Sequence, residues 1–139
     1  MKLPEVESLM RELALDIRGA NVEVGVTDRR RYNDAFLRIT SLADPEKYAM
    51  VSNNGGAVYE LEVTGGFRAF AWDDQAVAYE DVRAYLESFV RAASAYLDGQ
   101  WSIRRSRIFR TPILTIRTDV APLDLTLPRR CWVASGSRL

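Results

Sequence analysis

Apolar and polar positions alternate along this chain with two different periods. Val6, Leu9, Met10, Leu13 and Ile17 recur every three or four residues, which predicts an amphipathic helix over residues 4–18. Pro4 suits its first turn, where the missing N–H costs nothing, and Gly19 suits its end. Val82, Tyr85, Leu86, Phe89, Val90, Ala93 and Tyr96 or Leu97 repeat the pattern, which predicts a long helix over about 76–97. Asp73 and Asp74 are its candidate N-caps, Glu87 and Arg91 stand at ion-pair spacing, and Asp98-Gly99 closes it. The spacing of Tyr79, Tyr85, Phe89 and Tyr96 reads as core packing.

Between the helices the period drops to two. Val22, Val24 and Val26 alternate with Glu23 and Gly25, as in a half-buried strand. Asp28-Arg29-Arg30-Arg31 reads as a polar turn, with strands expected at 35–40 and 47–52. Asn53-Asn54-Gly55-Gly56 and Thr64-Gly65-Gly66 are hairpin-turn signals, since Asn and Gly tolerate positive φ. Around them Tyr59, Leu61 and Val63 alternate with Glu60 and Glu62, and a further strand covers 67–72. After the long helix, strands are expected at about 101–109, 113–118 and 123–127, punctuated by Pro112 and Pro122. The order helix, strands, helix, strands predicts an α+β fold: a mainly antiparallel sheet with a short N-terminal helix and the long helix packed on it. The 139 residues make one domain, with the tail from about 128 expected to be loosely ordered.

Composition narrows the chemistry. The chain contains no histidine and one cysteine, Cys131. That removes Ser-His-Asp and Cys-His catalysis, Cys/His zinc sites and any internal disulfide. Carboxylate chemistry and magnesium remain open. No apolar run approaches the roughly 18 residues of a membrane span, and the start lacks the pattern of a secretory signal. The expectation is a cytoplasmic protein without membrane or cofactor. Net charge is zero, which argues against a dedicated nucleic-acid binder. The charge is nevertheless uneven: residues 1–99 hold 11 Lys/Arg against 17 Asp/Glu, and residues 100–139 hold 8 against 2.

Two groups of residues are candidate contact surfaces. Glu60 and Glu62, two apart on one strand, point to the same face, and Asp73 and Asp74 follow closely. They read either as a solvated face and a helix cap or as a carboxylate cluster. The segment from Trp101 to Arg110 carries Arg104, Arg105 and Arg107 among aromatic and aliphatic residues. Strand geometry places Trp101, Ile103, Arg105, Arg107 and Phe109 on one side. An Arg/Trp mixture of this kind suits an exposed strand or a protein contact. The glycine pairs match no phosphate-loop pattern.

The layout as a whole resembles the small bacterial immunity proteins of polymorphic and contact-dependent toxin systems. The similarity lies in a short helix, a strand meander with Asn-Gly-Gly turns, a long helix and closing strands. Trp72-Asp73-Asp74 leading into Val82–Tyr96, Asp98-Gly99 and Arg104–Arg107 carry it. The resemblance implies a non-catalytic protein that binds a cognate toxin domain and blocks it. Glu60, Glu62, Asp73 and Asp74 would suit a toxin with a basic cleft. Arg104, Arg105 and Arg107 would suit an acidic one. The alternatives are a secretion chaperone or adaptor that holds another chain at its sheet edge, and a small carboxylate-based, magnesium-dependent enzyme.

Overall fold

A computed structural model describes residues 1–28, 33–76 and 78–128. The expected turn at 29–31, Cys131 and the tail beyond 128 lie outside the described residues. The element order is α1 (Leu3–Ala14), β1 (Ala20–Asp28), β2 (Asn33–Ser41), β3 (Tyr48–Asn53), β4 (Val58–Val63), β5 (Phe67–Trp72), α2 (Tyr79–Leu97), β6 (Trp101–Arg105), β7 (Pro112–Ile116) and β8 (Leu123–Thr126). All eight strands form one antiparallel sheet in the order β1-β2-β3-β4-β5-β8-β7-β6. This is the expected α+β fold.

The sheet consists of two meanders. Hairpins join β1 through β5 in sequence order. The chain then crosses the sheet as α2, starts β6 at the far edge and returns through β7 to β8. The seam between β5 and β8 is narrow, with one ladder pair, Arg68 opposite Thr126.

Both helices cover the same face. Val6, Leu9, Met10 and Leu13 of α1 and Val82, Leu86, Phe89, Val90, Ala93 and Tyr96 of α2 share one buried cluster with Leu37, Ile39, Val51, Tyr59, Leu61, Leu114, Ile116 and Leu125 of the sheet. Fully burying a side chain such as Leu86 contributes about 1.5–3 kcal/mol. Ala35, Ala49, Ala69, Ala92 and Ala93 are buried in that layer and let helix and sheet approach closely.

Several element ends differ from expectation, each for a local reason. Helix α1 stops at Ala14 rather than residue 18. The Arg18 guanidinium reaches back to the Leu15 carbonyl at 2.6 Å and satisfies one of the carbonyls a helix leaves open. Helix α2 starts at Tyr79, with Ala78 rather than Asp73 or Asp74 at the N-cap. The Asp73 carboxylate is engaged elsewhere, accepting from the Gln75 N–H at 2.9 Å and the Tyr85 hydroxyl at 2.8 Å. Glu87 pairs with Arg83, one turn back, instead of Arg91. Strand β6 ends at Arg105 rather than 109, because Ser106 and Thr111 close a turn and Arg110 adopts a φ of 52°.

The β3–β4 turn is built on Asn53. Its side chain is buried, donates to the carbonyls of Gly56 (3.2 Å) and Val58 (2.9 Å), and accepts from the Gly55 N–H (2.8 Å). Gly55 takes a φ of 82°, which suits glycine.

Candidate functional site

The sheet face opposite the helices is open among the described residues, and it collects the most distinctive surface chemistry. Pairing registers align its outward positions in rows. One row runs Gly25, Phe36, Ser52, Glu60, Phe70 across β1 to β5. The next runs Glu23, Arg38, Met50, Glu62, Arg68, Thr126, Ile113, Arg104 across all eight strands.

A charged network occupies the middle. Arg68 contacts Glu62 at 2.7 Å and Glu60 at 3.3 Å, so one guanidinium bridges the two carboxylates. The Tyr48 hydroxyl donates to Glu62 at 2.9 Å, and the Arg38 guanidinium lies 4.4 Å from the centre of the Tyr48 ring. Burial, then the bond to Glu62, pushes the Tyr48 phenol above its ordinary range. Glu60 and Glu62 thus share a face, but as members of a paired network.

Beside this network are aromatic side chains without cover. Phe70 is 62% exposed and Trp72 72% exposed, both on the outward side of β5. A shallow depression of about 500 Å3 runs along this face, lined in part by Phe36, Met50, Glu60, Arg68 and Phe70. On the neighbouring β1, a Cβ added at Gly25 would come within 3.2 Å of the Phe36 ring. The glycine therefore lets that ring lie against the strand.

Asp73 and Asp74 belong elsewhere. Asp73 bonds Tyr85 of α2, whose ring stacks on Tyr59 at 4.6 Å on the helix-covered side. The bond to Asp73 raises the Tyr85 phenol, with burial adding to it. The four acids therefore do not converge. No group of three or more potential metal-ligating side chains occurs among the described residues.

The basic segment is a third location. Trp101 stacks on Tyr96 at 5.5 Å and serves the core edge. Arg104 pairs with Asp124 at 3.1 Å, and Arg105 donates to the Arg110 carbonyl at 3.0 Å. Arg107 sits in the β6–β7 turn rather than on a strand, with Ile108 and Phe109 beside it.

On the helix side, Arg83 joins the two helices. It binds Glu12 of α1 at 2.9 Å and Glu87 at 2.8 Å, while the Tyr79 hydroxyl donates to Glu12 at 3.2 Å. The hydrogen bonds from Arg83 and Tyr79 hold the Glu12 carboxyl below its usual range, and the bonds to Glu12, Tyr79 and Glu87 in turn raise Arg83. Tyr79 is thus a surface linker, not the core residue its spacing predicts. A groove of about 710 Å3 opens between the helix ends, lined by charged side chains of both signs.

Sequence reasoning missed Phe70 and Trp72 as surface groups. Strand β5 alternates Phe67-Ala69-Ala71 with Arg68-Phe70-Trp72, and both sets contain large apolar residues. The usable signal is Arg68, which marks the outward side.

Taken together, these features define an α+β sheet protein with helices on one side and an aromatic, charge-networked face on the other. Set against protein-family models, curated proteins and solved structures, the chain matches none. No helix among the described residues is long and apolar enough to cross a membrane.

Proposed function

We propose that this chain is a binding protein that docks a protein partner on the open sheet face and catalyses nothing itself. The exposure of Phe70 and Trp72 beside the Arg68 network carries this reading. Large aromatics on a rigid sheet, rimmed by charge, are the usual anchors of a protein contact. Acids outnumber bases on β1 to β5 of this face, with Glu23, Asp34, Glu60 and Glu62 against Arg38 and Arg68. The matching partner surface has apolar sockets rimmed by basic groups, as in a nucleic-acid or phosphate-handling cleft. The resemblance in layout to immunity proteins makes a cognate toxin domain, met in the cytoplasm, the partner we propose. Arg68 holds Glu60 and Glu62 while Tyr85 of α2 holds Asp73, an arrangement that supports a binding role over a shared carboxylate site.

The test is a pull-down from lysate of the source organism with wild-type bait and a Phe70→Ser/Trp72→Ser bait, read by mass spectrometry. A toxin domain encoded beside this gene, held by wild type and lost by the variant, is the expected result. The same partner held by both baits, or nothing above background with either, overturns the reading.

A further inference from the structure

At the far edge of the sheet, the outer side of β6 has no strand partner among the described residues, and the strand carries a concentration of arginine. The ladder to β7 fixes which backbone groups are free. Ser106 donates its N–H to the Thr111 carbonyl at 2.9 Å, and the Gln100 carbonyl accepts from the Arg117 N–H at 2.8 Å. Antiparallel bonding alternates sides residue by residue. Positions 102 and 104 therefore bond to β7, and Trp101, Ile103 and Arg105 direct N–H and C=O to the open edge. No described strand lies beyond β6. At the opposite edge the situation differs, since Arg11 of α1 already donates to the Val24 carbonyl of β1 at 3.1 Å.

Side chains around the β6 edge are one-sided in charge. Arg104, Arg105, Arg107 and Arg110 fall within this strand and its turn, and Asp124 is the acid paired there, taken by Arg104. Apolar side chains stand among them: Ile108 is 83% exposed and Phe109 78% exposed. An edge of this length usually carries devices that discourage pairing, and arginine repels only basic or like strands. A second copy is a poor occupant, because β6 against β6 sets arginine against arginine.

We propose that β6 and the β6–β7 turn bind an acidic, extended segment of a protein partner by strand addition. Free backbone groups at 101, 103 and 105 supply the main-chain bonds, and the arginines select acidic side chains. The Ile108 and Phe109 side chains cover apolar positions of the segment. A nucleic-acid strand would use the arginines but leave the edge amides unpaired, so the edge favours a peptide. This surface is separate from Phe70 and Trp72, and the inference stands or falls independently of them.

The experiment is an amide-resonance titration of the full chain with a short capped peptide alternating glutamate and valine, with a lysine–valine peptide and oligothymidine as comparisons. Saturable shifts at 101, 103, 105 and the turn with the glutamate peptide alone are expected. Arg104→Glu/Arg105→Glu should weaken that binding at least about tenfold. Ile103→Pro, which removes an outward N–H at a position an edge strand tolerates, should abolish it. Phe70→Ser/Trp72→Ser should leave it unchanged. No shift at β6 with millimolar glutamate peptide overturns the proposal. So does equal binding of the lysine peptide, or displacement of the glutamate peptide by oligothymidine, which would make the edge a phosphate-binding surface.

Discussion

Replacing Arg68 with methionine isolates the electrostatics of the open face. Methionine keeps most of the apolar stem and removes the charge. The side chains of Arg68, Glu60 and Glu62 are 29%, 24% and 14% exposed, so this network lies between a surface pair and a buried one. Without Arg68 the two carboxylates face each other across about 7 Å, the spacing of next-nearest strand residues. At an effective dielectric constant near 20 that repulsion is about 2 kcal/mol, reduced to about 1 kcal/mol by the remaining solvent. Losing the attraction adds about 1 kcal/mol, giving a total near 2 kcal/mol and a fall in Tm of about 4–8 °C. Urea denaturation measures the loss, and adding Glu60→Gln and Glu62→Gln should recover about half of it, the repulsive part, since neutral amides do not repel. A loss under about 0.5 kcal/mol, or no recovery in the triple variant, would refute the view that Arg68 neutralises a strained acidic pair.

Three further outcomes follow from the geometry. Tyr59 is fully buried and its hydroxyl has no hydrogen-bond partner among the described residues, so Tyr59→Phe should leave stability unchanged or raise it by about 1 kcal/mol in chemical denaturation. Asn53→Ala removes three hydrogen bonds and leaves the Gly56 and Val58 carbonyls short of a donor, which should cost about 2–3 kcal/mol by the same assay. Tyr48 and Tyr59, raised chiefly by burial, and Tyr85, raised chiefly by its bond to Asp73, keep their protons longer folded than unfolded. Their contribution is therefore complete below the ordinary phenol pKa of about 10 and lost as pH climbs through the folded values. Denaturation midpoints should hold to about pH 9 and fall above 10, less steeply in Tyr48→Phe.

The two helices and most strands were legible because their periods are clean. Tyr59, Leu61 and Val63 go inward while Glu60 and Glu62 go outward, as period two requires. Helix α2 buries Val82, Leu86, Phe89, Val90 and Ala93, the stripe its spacing predicts. Strand order was not legible, because nothing local in β8 says it returns to β5; one pairing at Arg68 and Thr126 makes the join. Asp73 looked like a helix cap because acids before a helix usually are. A tyrosine twelve residues on claimed its carboxylate instead, a tertiary contact no local pattern encodes. Likewise, Glu60, Glu62 and Asp73 are neighbours along the chain, yet Asp73 turns to Tyr85 of α2 while Glu60 and Glu62 meet Arg68.

The two faces of β5 clarify why the open side reads as a contact surface. On the helix side the strand offers Phe67, Ala69 and Ala71, and the two alanines leave room for close helix packing. Phe70 and Trp72 face the other way, where they contribute little to the core and leave apolar area in water. Scattered apolar residues are ordinary on a surface, but two large aromatics at alternate positions of one strand, beside a shallow depression, form a patch. In the proposed role such a patch would anchor the partner, with the neighbouring ion network setting its orientation. A fold that needed only stability would be served as well by threonine at both positions.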